Sequence, residues 1–307
     1  MPIPALTDHA VTGRAPVLCI GETMVLVAPT TADDLEHAEL FTLSLGGAES
    51  TVALYLSELG HSAEWLSQVG DDPLGRRLLA ELSKHNVITS RVRVLPDAPT
   101  GVYFKDPGRA STSVYYYRSG SAASTMTPHL LEGIDWAATP VVHVSGITAG
   151  LSPECHAMLD AVFTAAAGFA TTVSFDVNYR PGLWSPEAAA PALLDLARRA
   201  DIVFVGLDEA QALWGIDDPQ HLFRHLHAPG ALVIKNGSVG ATQVTADTET
   251  FVPAHTVEVL EVVGAGDAFA AGYLAGYLAG ASVEERLSQG HDLAARALRS
   301  LNDFAPV

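Results

Sequence analysis

Apolar and polar positions repeat with two different periods along this chain, and the changes of period locate its parts. Residues 17–27 are mostly apolar and predict a first buried strand. Residues 41–45 alternate and end in Gly46-Gly47, which predicts a strand with one face toward water or a partner. A helix is expected over 49–59, with Val52, Leu56 and Leu59 on one stripe and Gly60 as its stop. Residues 63–69 read as a strand. Asp72-Pro73 then opens a helix that buries Leu74, Leu78 and Leu82 and ends near Asn86.

The pattern changes between Arg91 and Arg118. Three short strands, 92–95, 101–105 and 111–118, are separated by Pro and Gly turns with no helix between them. With 41–45 they predict a small, mainly antiparallel sheet that serves as a lid. After Ser121 strands and helices alternate again. Strands are expected at 141–144, 171–176, 201–205 and 232–235, and later at 242–244, 251–252 and 256–263. Helices open at Ser152-Pro153-Glu154, Ser185-Pro186-Glu187 and Asp208-Glu209, and two more cover 267–279 and 282–300. This is an α/β pattern: a doubly wound, mostly parallel sheet with helices on both faces, which places ligands at the strand C-terminal ends. The expected division is a core of 15–35, 47–90 and 121–307 and a β-sheet lid of 36–46 and 91–120.

Composition narrows the function classes. The chain has 307 residues, 48% of them apolar, and a mean hydropathy of +0.22, so a large buried core is expected. Residues 1–16 hold no continuous apolar run of the signal-peptide kind, and no stretch reaches the roughly 18 apolar residues of a membrane span. Two cysteines, Cys19 and Cys155, fit a reduced, cytoplasmic protein. Thirty-five acids against 17 Lys and Arg give a net charge of −18, which excludes nucleic acid as the expected partner. Lys84, Lys105 and Lys235 are the only lysines, so an anionic ligand needs a cation placed for it.

Candidate chemistry centres on Gly264-Ala265-Gly266-Asp267, between the expected 256–263 strand and a small-residue helix. Free N–H groups and the positive end of a helix dipole make an anion site there. Asp267 would repel that anion unless it acts on something between them; a carboxylate taking a proton from a hydroxyl fits, and so does one that merely complements the dipole. No lysine is followed by Ser or Thr, so no Walker A motif is present, and Phe269 stands where a dinucleotide fingerprint wants Gly or Ala. His221, His225 and His227 share an expected helix without a completing acid or cysteine, which fits a solvated face. Tyr116 and Arg118 point the same way in a strand, suiting either a hydroxylated anionic ligand or aromatic packing. Asp176, Asn178 and Arg180 end a core strand. Lys235-Asn236-Gly237-Ser238 through Gly240 reads as a hairpin turn or as a phosphate loop.

In order along the chain, Gly46-Gly47-Ala48-Glu49, Val69-Gly70-Asp71-Asp72-Pro73-Leu74-Gly75, Lys235-Asn236-Gly237 and Gly264-Ala265-Gly266-Asp267 resemble the motifs of the ribokinase (pfkB) family of carbohydrate kinases. The segments 116–118 with 121–124, 145–148 and 176–180 are most similar to its 2-keto-3-deoxygluconate kinases, and the last is shared with fructokinases. The resemblance implies ATP-dependent phosphorylation of the primary hydroxyl of 2-keto-3-deoxygluconate to the 6-phosphate. It implies Asp267 as general base, the N–H groups of Gly264, Ala265 and Gly266 as anion hole, and Gly47, Tyr103, Tyr116, Arg118 and Arg180 against the sugar acid. Arg180 is the expected carboxylate partner. Lys235, Asn236, Gly237, Ser238 and Gly240 would line the ATP site, Mg²⁺ would accompany the nucleotide with Glu209 acting on it indirectly, and the lid would pair subunits into a dimer or larger homo-oligomer. Three departures stand out. Glu261-Val262-Val263 replaces Asp-Thr-x and leaves a monovalent-cation requirement open, Gly206-Leu207-Asp208-Glu209 lacks the Asn of Asn-x-x-Glu, and Ser50-Thr51 stand where an Asn is common. A fructokinase or other ketose or pentose kinase, and a catalytically silent sugar-binding member, are the alternatives.

Overall fold

The computed structural model describes residues 15–31, 33–107, 112–227 and 230–306. Residues 1–14, where no signal peptide is expected, and residue 111 of the expected third lid strand lie outside them. The chain enters through β1 (Val17–Ile20), β2 (Met24–Pro29), β3 (Phe41–Gly46), α1 (Ala48–Glu58), β4 (Ala63–Leu66), β5 (Gln68–Gly70) and α2 (Pro73–Lys84). Three strands follow: β6 (Arg93–Leu95), β7 (Val102–Pro107) and β8 (Thr112–Tyr117). The alternating part is β9 (Val141–Ser145), α3 (Gly146–Leu151), α4 (Pro153–Ala166), β10 (Thr172–Asp176), α5 (Pro186–Arg199), β11 (Ile202–Gly206), α6 (Leu207–Trp214) and α7 (Pro219–Leu226). It ends with β12 (Ala231–Asn236), β13 (Gly240–Val244), β14 (Glu249–Pro253), α8 (Ala265–Leu278) and α9 (Val283–Ala297).

Eight strands form the main sheet in the order β14-β13-β12-β11-β10-β9-β1-β4. It is parallel from β4 to β12 and antiparallel at β13 and β14. Successive strand residues face opposite sides, and each side has its own core. Leu18, Ile20, Phe175 and Val203 pack with residues of α4, α5, α6 and α7 on one face. Val17, Cys19, Trp65 and Phe204 pack with residues of α1, α2, α8 and α9 on the other. Helices therefore cover both faces of the sheet, as the sequence pattern predicts. No described helix is long and apolar enough to cross a membrane.

Four expectations change. The apolar run 17–27 is two strands, because the chain leaves the main sheet at residues 21–23 and enters the small one; both strands are buried, so the run looks continuous. The 63–69 run also divides, and its second part, β5, pairs in parallel with β6 as a separate two-stranded sheet. The small sheet is therefore β3-β2-β7-β8. It takes β2 from the segment assigned to the core and omits β6, and its central β2–β7 pair is parallel. Residues 256–263 are not a strand: β14 is the edge of the sheet, and this segment runs on without a strand partner, touching α9's end through Leu260 N–H to Leu298 O (2.8 Å).

Asp72 ties the two sheets' connections together. One of its oxygens caps α2 by accepting the Gly75 N–H (2.7 Å), and the other accepts the Thr100 N–H (2.8 Å) just before β7. Loss of such a cap typically costs about 1–2 kcal/mol. Asp72→Ala should lower stability by about that much, seen as a lower urea midpoint at unchanged slope.

Candidate active site

The C-terminal ends of the parallel strands and the small sheet enclose a cleft of about 800 Å³. Beneath its floor, behind the lining residues Asn178 and Lys235, lies Asp176, the last residue of β10 and almost fully buried. Its Oδ2 accepts from Lys235 Nζ (2.7 Å), two strands away on β12. Its Oδ1 accepts the Asn178 N–H (3.2 Å), which folds the chain sharply and holds Asn178 at φ 39, a left-handed conformation that Asn tolerates. The Asn178 side chain then donates from Nδ2 to Asp267 Oδ1 (3.1 Å). Four polar groups are thus linked in series across the floor. Burial works against the Lys235 charge, but Asp176 and Glu209 outweigh it and hold the ammonium above its ordinary range.

Asp267 stands in the first turn of α8, whose N-cap is Gly264 at φ 85. A side chain on Gly264 would meet the Asp303 backbone at 2.8 Å, so the turn needs glycine for both conformation and space. The Ala265 N–H is turned back to Val262 O at a long 3.3 Å, so of the three expected anion donors it is the one weakly engaged within the turn. Burial, then the Asp176 carboxylate, raises the Asp267 carboxyl to about 7, against the pull of Arg180 and Lys235; Asp303 adds to the rise. A carboxylate in that range can both accept and release a proton near neutrality.

The small sheet presents Tyr103 and Tyr116, stacked with ring centroids 5.7 Å apart, on its cleft face. Tyr103 donates its hydroxyl to Asp303 Oδ2 (3.0 Å). Arg118 also faces the cleft, but its guanidinium is held by buried Glu22, through Nε at 2.7 Å and through Nη2. Ser121 Oγ donates to the other Glu22 oxygen at 2.5 Å. Arg180 differs: its side chain is 43% exposed and the nearest carboxylate oxygen, on Glu209, is 3.8 Å away. Glu209 itself accepts the Gly206 N–H (2.7 Å), and burial raises its carboxyl.

Every sequence-predicted site residue lines this one cleft. The hairpin reading of this loop holds: Asn236 ends β12, and Gly237 and Ser238 lie in the turn of the antiparallel β12–β13 hairpin; all three line the cleft. The segment 256–263 supplies an apolar wall there through Val257, Val259, Val262 and Val263. Sequence reasoning missed Glu22, Lys105 and Asp303. Glu22 was visible as an acid inside an apolar run. Lys105 was visible as one of three lysines, set in a strand pattern. No described group of three or more His, Cys, Asp or Glu is disposed to hold a metal.

A profile of the pfkB family carbohydrate kinases matches residues 14–306, nearly the full length. The chain belongs to the pfkB family. This carbohydrate kinase is 35% identical to a 2-dehydro-3-deoxygluconokinase of Bacillus subtilis (strain 168) over 92% of its own length and 90% of the relative's. It is 33% identical to a 2-dehydro-3-deoxygalactonokinase of Haloferax volcanii, over 95% and 94% of the two chains. An uncharacterised sugar kinase from Pyrococcus horikoshii, solved in complex with ATP, superposes with a TM-score of 0.82 at 27% identity, covering 94% of each chain. The kinase shares the ribokinase-like fold with these relatives.

The charges around Asp267 have opposite signs, so they can be separated. In a ¹³C-carboxyl titration of the ligand-free kinase, Asp176→Asn should lower the Asp267 midpoint by about one pH unit. Lys235→Met, which removes a cation and leaves Asp176 uncompensated, should raise it. Shifts of the same sign in both variants would contradict this electrostatic account.

Proposed function

We propose that this kinase transfers the γ-phosphoryl group of ATP to the primary hydroxyl of 2-keto-3-deoxygluconate, giving the 6-phosphate. The observation that carries the reading is Asp267, a carboxylate raised to about 7 at a glycine-capped helix start, in the same cleft as Arg180, a half-exposed arginine whose contact with Glu209 is a long 3.8 Å. The names of the relatives support the sugar-acid class, and the ATP complex of the Pyrococcus horikoshii protein supports the nucleotide.

In this mechanism Asp267 accepts the proton of the sugar hydroxyl as its oxygen attacks the γ-phosphorus. The charge developing on the phosphoryl oxygens meets the Gly264 and Gly266 N–H groups, the Ala265 N–H once it is drawn from Val262, and the α8 dipole. Asn178 holds Asp267 in register. Arg180 takes the sugar carboxylate, since its contact with Glu209 is long (3.8 Å) and its side chain half exposed, whereas Lys235 and Arg118 are closely paired with buried acids. Gly47, Tyr103 and Tyr116 line the sugar side, and Arg118 completes it as a neutralised wall. The Lys235–Gly240 turn takes the phosphates, while the valine wall suits a flat base. Mg²⁺ carried by the nucleotide would neutralise phosphate charge, with the Glu209 oxygen not engaged by Gly206 on that side of the cleft. The small sheet acts as the lid, which excludes water as a competing acceptor. The Arg118–Glu22 pairing favours a second reading, a ketose kinase for neutral sugars, because it leaves the cleft one cation fewer for an acid.

The outer face of the small sheet exposes Phe41, Leu43, Tyr115 and Tyr117, opposite the face that carries Tyr103 and Tyr116. We assign this apolar face to the partner subunit of a cytoplasmic homodimer. Light scattering should then give twice the chain mass, and Leu43→Asp with Tyr117→Asp should give the monomer.

Coupled ADP release should show ATP-dependent turnover of 2-keto-3-deoxygluconate well above fructose and ribose. Asp267→Asn should cut kcat by about 10²–10⁴-fold. In the wild type, kcat/KM should fall as pH drops below about 7, since a protonated Asp267 cannot accept a proton. Arg180→Ala should raise KM for the keto-acid about 10–100-fold while sparing fructose. Preference for fructose would select the second reading, and undiminished turnover by Asp267→Asn would remove the mechanism.

A further inference from the structure

Outside the cleft lining, the small sheet sends a second side chain toward the catalytic turn. Lys105 lies on β7, two residues beyond Tyr103 and therefore on the same face, and is only 4% exposed. Its ammonium is 3.2 Å from Asp303 Oδ1, 3.7 Å from Glu261 Oε2 and 3.4 Å from Leu301 O. A buried ammonium is costly unless acids and carbonyls surround it, as here.

Both acids reach the turn that precedes α8. Glu261 uses its other oxygen to accept the Val262 N–H (2.8 Å) and the Val263 N–H (3.2 Å), so its carboxylate folds the approach to Gly264. Asp303 packs its backbone against Gly264, 2.8 Å from where a β-carbon would lie, and its Oδ2 accepts from Tyr103. One ammonium from the small sheet thus bridges two carboxylates, one folding the approach to Gly264 and one on the residue packed against it.

We propose that Lys105 is a positioning residue for phosphoryl transfer, an internal cation that holds the Gly264 turn in place and cancels carboxylate charge beside the incoming phosphate. The proposal rests on the reading of Gly264–Asp267 as the transfer site. Without Lys105, Glu261 and Asp303 repel each other and the phosphate, and the turn loses its brace. The charged groups acting on Asp267 are Asp176, Arg180, Lys235 and Asp303, and Lys105 compensates the last of them. Tyr103 shares Asp303 with Lys105, so a sugar that displaces the Tyr103 hydroxyl acts on the same carboxylate that packs against the turn. Contact on the sugar side is thereby linked to the geometry of the phosphate side.

The test compares Lys105→Met, which keeps the length without the charge, with Lys105→Arg and Lys105→Ala, all in the full chain on the acceptor the wild type uses best. A displaced catalytic turn costs on the order of 100-fold in rate. Lys105→Met should therefore lose about 10–100-fold in kcat with sugar KM changed less than about threefold, a split that marks a step made in the transition state. Lys105→Arg should retain most of the rate. Ammonium or methylamine should restore Lys105→Ala several-fold, where tetramethylammonium at equal ionic strength does not. The Asp267 carboxyl titration, which needs no substrate, should move up in Lys105→Met and stay in place in Lys105→Arg. Wild-type kcat in Lys105→Met, a loss confined to thermal stability or KM, or an unmoved Asp267 titration would overturn the proposal. A wild type without turnover on any sugar would instead count against the assigned reaction, and the titration would still decide the role of Lys105.

Discussion

The cleft is assembled on the two oxygens of Asp176. One holds the Lys235 ammonium and the other holds the Asn178 N–H, and neither is left for solvent in a residue 1% exposed. A carboxylate so deeply set at the end of a central strand is stable only when both oxygens are engaged. Satisfying them fixes the rest. Lys235 is drawn in from β12, Asn178 is forced into a left-handed turn, and that turn aims the amide at Asp267. Burial first, and then the same negative charge, keep Asp267 from ionising at the usual pH. Asp176 thus contributes to both the position and the proton affinity of the proposed base.

The small sheet shows how alternation divides labour within a strand. On β8, Tyr116 turns to the cleft and stacks on Tyr103, while Tyr115 and Tyr117 turn outward. On β7, Tyr103 and Lys105 share the inward face and meet one carboxylate, Asp303. A single pleated layer carries a cleft wall and a contact to the residue packed on the helix turn on one face, and an apolar surface on the other.

Legibility in the sequence followed the range of the interactions. The Gly264–Asp267 turn, the Lys235 hairpin and the 176–180 strand end are local patterns, and each was visible because its chemistry is written in adjacent residues. The partnerships were not. Glu22 meets Arg118 across 96 positions, and Lys105 meets Asp303 across 198. The expected strand over 256–263 failed for a related reason. Its β-branched residues face a cleft rather than a neighbouring strand, and pattern alone does not distinguish a cavity wall from a sheet. The run over 17–27 was misread because a strand that changes sheets remains apolar in both.

The scarcity of lysine has a practical consequence. Of the three in the chain, Lys84 has a side chain 69% exposed, whereas Lys105 and Lys235 have 5% and 19%. Acylating reagents attack the neutral amine, and Lys235 is held protonated above its ordinary range. Amine labelling should then mark Lys84 at once and the other two only as the molecule breathes. Each buried lysine reports on a different opening: Lys235 on the cleft floor, and Lys105 on the seam between the small sheet and the C-terminal tail. The chain thus carries two built-in clocks for separate motions, readable by peptide mass without any added probe.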